Sequence, residues 1–188
     1  MTRSIFAIEM CLRYEPSFVS GLADLLRADT AEPSAGQLWE MFTRTANAVM
    51  ERPQLWHLGC WDFWDDAAKA QSDFQMWKEG LMTEEGARKV PSAEGEPYRG
   101  GERYLTVTMA CLMLRGTDSE RRLAEACNIP EAYLWQHRTF ERILRAVRHI
   151  NFAVVDRSTL YLIPQEDGWA LTPEDLRDPK FHYFRPIV

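Results

Sequence analysis

Apolar positions in this chain recur at two different periods, and the two alternate along its length. Residues 4–14 alternate, with Phe6, Ile8, Met10, Leu12 and Tyr14 set against Ser4, Glu9 and Arg13, the pattern of a half-buried strand. From Pro16 the period lengthens: Phe18, Val19, Leu22, Leu25 and Leu26 share one helical face, and Leu38, Phe42, Thr45 and Val49 give a second helix from about Ala35 to Glu51, ended by Arg52-Pro53. Residues 55–64, LWHLGCWDFW, predict a short strand with Gly59 as a bulge or turn. Ala67, Ala70, Phe74, Trp77 and Leu81 return to helical spacing over residues 66–80, and residues 84–90 extend it by a turn or two.

The longest uncharged run is Tyr104 to Leu114, YLTVTMACLML, bounded by a Gly-rich approach and by Arg115-Gly116. Its length and flanks predict a central strand, with Leu105, Val107, Met109, Cys111 and Met113 facing packed helices and a mixed second face. Beyond it, Ser119 caps a short helix to Cys127, and Pro130 opens a longer one to about His149 with Phe140, Ile143, Leu144 and Val147 buried. Residues 152–155 and 159–163 read as two short strands, Thr172 caps a last short helix, and the apolar tail 181–187 docks. The order β-α-α-β-α-β-α-β predicts an α+β fold: a single four- to five-stranded mixed or antiparallel sheet with helices packed mainly on one face. One domain over residues 1–188 is expected, with residues 91–102 as a short mobile loop.

Composition narrows the function classes. A net charge of −6 argues against a general nucleic-acid binder. No apolar run reaches the ~20 residues needed to span a bilayer. Cys11, Cys60, Cys111 and Cys127 form no CxxC pair, and no signal-peptide pattern precedes them, so reduced thiols and a cytoplasmic location are expected. Seven tryptophans are many for a chain of 188 residues; they imply a Trp-lined core or an adhesive face.

A resemblance enters at the level of ordered motifs. Residues 25–30 (LLRADT), 50–59 (MERPQLWHLG), 104–109 (YLTVTM), 160–165 (LYLIPQ), 167–176 (DGWALTPEDL) and 181–187 (FHYFRPI) follow one another as in the family called domain of unknown function 1517. The chain is similar to that family over nearly its whole length. Leu162 stands where the family has Trp, residues 85–90 only echo its "ERxKF" stretch, and its Gly/Ser-rich, membrane-proximal region has no counterpart here. The resemblance implies a fold and brings no catalytic residues.

Two surfaces stand out as partner-binding candidates. Trp56, Trp61, Phe63 and Trp64, with His57 and Asp62, Asp65 and Asp66 beside them, form an aromatic face rimmed by carboxylates; the bland alternative is a sheet edge capped by its own core. Arg138, Arg142, Arg145 and His149 recur at i, i+4, i+7 and i+11 on one helical stripe with Trp135 near it; the bland alternative is a solvated face. The favoured reading is a non-catalytic protein-interaction or regulatory domain, binding a protein partner or a second copy of itself and needing no cofactor. The alternative is a small-molecule binder or enzyme with a pocket near His57 and Cys60. A third is phosphate or nucleic-acid binding on the Arg stripe. His57-x-x-Cys60 lacks the second ligand pair a zinc site needs, and no GxSxG, HExxH or phosphate-cradling Gly loop occurs.

Overall fold

The computed structural model describes residues 2–26, 32–79, 88–89, 101–163 and 169–188. Among the described residues, seven strands form one five-stranded antiparallel sheet and one two-residue ladder: β1 (Arg3–Arg13), β2 (Trp56–Trp64), β3 (Arg88–Lys89), β4 (Tyr104–Leu114), β5 (Val155–Ile163), β6 (Trp169–Ala170) and β7 (Arg185–Pro186). The large sheet runs β5-β4-β1-β2-β7, and β3 pairs with β6. The α+β class is therefore as the periodicities predict. The uncharged run is an internal strand, but the middle position belongs to β1.

Helices α1 (Pro16–Leu26), α2 (Ala35–Met50), α4 (Asp118–Cys127) and α5 (His137–Ala146) pack on one face of the sheet. There Phe6, Ile8, Met10 and Leu12 of β1 and the odd-numbered residues of β4 meet Phe18, Leu22, Phe42, Val49, Leu123, Phe140, Ile143 and Leu144 in the main core. Ser4 shares this face, and its hydroxyl donates to Glu120 of α4. Gly59 is not a bulge: it pairs with Met10, and a Cβ there would lie 2.5 Å from Cε1 of Phe140. The irregularity in β2 falls at His57 instead, where the register against β1 shifts between Cys11 and Leu12.

The opposite face is also covered, so β1 is buried on both sides rather than half-buried. Helix α3 (Ala67–Glu79) lays Ala70 and Phe74 on Ile5, Ala7, Ala110 and Leu112. The C-terminal tail places Leu171, Phe181 and Phe184 on Cys11, Cys60 and Tyr104. An apolar C-terminal tail has no independent fold, and here it supplies the roof that one sheet face would otherwise lack.

Other expectations are corrected. Thr117, not Ser119, caps α4 by accepting from Glu120 N–H; the Ser119 hydroxyl instead donates to His149 O and accepts from Asn151 N–H. The helix expected from Pro130 begins at His137, because residues 131–133 form a 3-10 turn and residues 134–136 break the run. The two short strands expected over 152–163 are a 3-10 turn followed by one nine-residue strand, β5. Thr172 and Asp175 bond reciprocally, but they hold a 3-10 turn and not an α-helix. Arg88–Lys89 is strand where helix was expected; the rest of the predicted extension, and residues 91–100 of the expected loop, lie outside the described residues.

Candidate functional site

The face under α3 and the tail holds an unusual row. Glu9 sits midway along β1, with Cys60 opposite it on β2 and Thr108 opposite it on β4; Thr108 in turn faces Tyr161 on β5. Cross-strand pairing thus sets Cys60, Glu9, Thr108 and Tyr161 side by side on one face of the sheet. Glu9 has no exposed surface. Tyr183 of the tail donates its hydroxyl to Glu9 Oε2 at 3.0 Å. Glu9 Oε1 and the hydroxyls of Thr106, Thr108 and Tyr161 are buried without a well-aligned hydrogen bond among the described residues, although the Thr106 and Thr108 hydroxyls lie near enough to act on the carboxylate.

That environment sets the chemistry. Burial pushes the Glu9 carboxyl up from 4.5 to about 7, while the Tyr183, Thr106 and Thr108 hydroxyls offset part of the rise. Burial, and then the charge of Glu9, push the Cys60 and Cys11 thiols and the Tyr161 and Tyr183 phenols up, so all four stay neutral near pH 7. A carboxyl balanced near neutrality can take or return a proton with little free-energy cost, the property a general acid or base needs.

Glu9 lies in the wall of a cavity of about 480 Å³ between α3 and the tail, a size suited to a small organic molecule. Its floor is Glu9, Asp73 and Phe181, all buried, with the half-buried Tyr183 and Asp62 alongside. Exposed Trp64, Lys69, Met76 and His182 form its mouth. Lys69 Nζ stands 3.6 Å from the centre of the Trp64 ring, and Lys180 Nζ stands 5.1 Å from the centre of the Phe181 ring. Burial also raises the Asp62 carboxyl, offset by the ring N–H of Trp64 and the backbone N–H of Phe63.

The predicted aromatic face divides. Trp56 is core: it is buried, stacks on His137 at 4.1 Å and donates its ring N–H to Val49 O. Trp61, Phe63 and Trp64 line an open hollow of about 830 Å³ at the edge of the sheet. Trp135 joins them there and not the Arg stripe, because it lies in the break before α5 and packs on Phe140. The outer edge of β2 meets β7 only at Leu58 and Gly59, so this hollow runs beside strand edge with no strand partner among the described residues.

Arg138, Arg142, Arg145 and His149 are exposed, as the stripe requires. Each arginine has a local role: Arg138 lies over the Tyr133 ring, Arg142 donates to Glu125 O, and Arg145 pairs with Glu141. Partial desolvation, with Arg122 and Arg148 nearby, lowers the His149 pKa. His57 and Cys60 do not form a dyad. His57 stacks on Tyr104, which pairs with Arg13, four residues along β1 from the Glu9 that pairs with Cys60. Burial and then Arg13 lower the His57 pKa.

The alternative pocket expected near His57 and Cys60 lies on β2, whereas the cavity is lined from β2 by Asp62 and Trp64 and from β1 by Glu9. Glu9 carried one signal, a lone carboxylate inside an otherwise apolar strand. Thr106 and Thr108 on the mixed face of β4 carried another. Nothing local marked Tyr183, whose role depends on where the tail docks. Compared with protein-family models, curated proteins and solved structures, the chain matches none.

Proposed function

We propose that the protein binds a small organic molecule in the cavity beneath the tail, with Glu9 as the group that holds or exchanges a proton with it. The observation that carries this reading is Glu9 itself: a fully buried carboxylate on a cavity wall, met only by neutral hydroxyls among the described residues, with its pKa raised to about 7. A buried carboxylate with no cation beside it is costly to ionise. A purely structural position on this face would be served better by an apolar side chain. The resemblance to the domain of unknown function 1517 brings no activity, so the reading rests on the cavity alone.

A protein-observed NMR screen of aromatic fragments tests it. Shifts are expected at the backbone amides of Glu9, Asp62, Thr108 and Tyr183. An Ile163→Trp variant, which fills the cavity wall, is expected to abolish them. If fragments leave those amides unmoved, the reading is wrong.

A second reading keeps the protein-interaction role and is favoured by the joining of Trp135 to Trp61, Phe63 and Trp64 around one hollow. Aromatic side chains around a concave, partly exposed surface are typical anchors of a protein contact. Light scattering and partner capture with Trp61→Ala/Trp135→Ala test it; equal behaviour of variant and wild type would remove it. The two hollows share Asp62 and Trp64 on β2 and otherwise draw on different residues, so the two readings do not exclude each other.

A further inference from the structure

We propose that the ligand of the Glu9 cavity is an amine: a compact apolar body with one protonated amino group that enters first and donates to Glu9 Oε1. This rests on the small-molecule reading above and names the class of ligand.

The charges in the cavity are sorted by depth. The buried wall carries the carboxylates of Glu9 and Asp73, with Asp62 half-buried beside them, and among the described residues no base accompanies them at the floor. The bases are Lys69, Lys180 and His182; Lys69 and His182 are exposed, and Lys69 and Lys180 each lie over an aromatic ring. An anionic ligand would meet like charge at the floor. A neutral ligand would leave the ionised Glu9 carboxylate buried among neutral hydroxyls, with no cation beside it among the described residues. An ammonium group supplies that positive charge, together with N–H donors. The walls suit its apolar body: Trp77, Phe181, Tyr183, Ile163 and Met76 contribute ring faces and aliphatic surface, and ring faces attract cations.

Proton linkage follows. An alkylammonium keeps its proton across neutral pH, as lysine does near pKa 10.4. It therefore pairs only with ionised Glu9, and its binding expels the proton that Glu9 holds below pH 7. Other titratable groups face Glu9 from every element packed against it. Cys11 on β1, Cys60 on β2, Tyr161 on β5 and Tyr183 on the tail are held neutral by burial. From α3 come Asp73 and Lys69, from β2 Asp62, and from the tail Lys180 and His182. His182 stands at the mouth of the same cavity, so a His182→Gln control accompanies the measurement.

The experiment is calorimetry on the full chain with three probes of one shape: 2-phenylethylamine, 3-phenylpropionate and 2-phenylethanol. The amine is expected to bind, and to bind about tenfold more weakly for each unit of pH below about 7. Glu9→Gln is expected to weaken it at least about tenfold and to flatten that dependence, while His182→Gln keeps both. Ile163→Trp, which leaves every charge in place, should block all probes. If the carboxylate or the alcohol binds as tightly as the amine, the amine assignment is wrong and the cavity reading stands. If none of the three binds, both are wrong.

Discussion

Glu9 makes the stability of the protein depend on pH even without a ligand. Its carboxyl titrates at 4.5 when unperturbed and near 7 when folded, so between those values the folded chain holds a proton that the unfolded chain has lost. Stability from the neutral carboxyl is therefore complete below the unfolded value and is lost as pH rises through about 7. The loss is about 3 kcal/mol in all, since one pKa unit corresponds to about 1.4 kcal/mol. Urea unfolding of wild type is expected to show this decline, and Glu9→Gln to remove it and to be the more stable protein above about pH 7. A flat wild-type profile would mean that the carboxylate is not buried in solution. Tyr183→Phe acts on the same atom from the other side. It deletes the donor to Oε2, so the Glu9 pKa should rise further, readable by NMR titration of the Glu9 side chain, with a loss of about 1–2 kcal/mol at high pH.

Between elements, the contact that decides how α5 sits on the sheet is a glycine. Gly59 pairs with Met10 on the helix side, and the Phe140 ring fills the space where its Cβ would be, with Ile187 Cδ1 a further 3.0 Å neighbour. Gly59→Ala must push the Phe140 ring or the tail outward, at a cost of about 2 kcal/mol or more. Gly59→Ala with Phe140→Leu should recover part of that loss in denaturant midpoint; no recovery would place the strain elsewhere. A strand-borne glycine was visible in the sequence, but its reason was not, because a bulge and a close approach leave the same letter. The same limit applies more widely. Strands β1 and β4 and helices α1 to α3 were legible because each carries several turns or pleats of one period. The break before α5 was not, because Leu134 and Trp135 keep an apolar pattern across a non-helical stretch. For the candidate site, the aromatics of β2 were legible, and of them Trp64 lines the cavity. Glu9 was assigned to a solvated face because alternation alone does not reveal a second covering layer.

That second layer is what distinguishes the whole molecule from a simple helix-backed sheet, and it is built largely by residues far apart in sequence. The described cysteines report on it. Cys11, Cys60, Cys111 and Cys127 are all free and buried. Cys111 and Cys127 belong to the main core under the helices, whereas Cys11 and Cys60 lie beneath Phe181 and Phe184 of the tail. Ending the chain after Asp178 would remove that cover, the β7 edge pairing and the Tyr183 bond to Glu9 together, while leaving α1, α2, α4 and α5 in place. A thiol reagent is then expected to leave wild type unreacted on the timescale of minutes and to label Cys11 and Cys60 in the shortened chain, with Cys111 and Cys127 still protected. Mass spectrometry of the labelled peptides separates the outcomes. Labelling of all the cysteines would mean that the main core needs the tail to form. Protection of Cys11 and Cys60 would mean that something other than the tail covers this face, and the tail would not be the roof of the cavity.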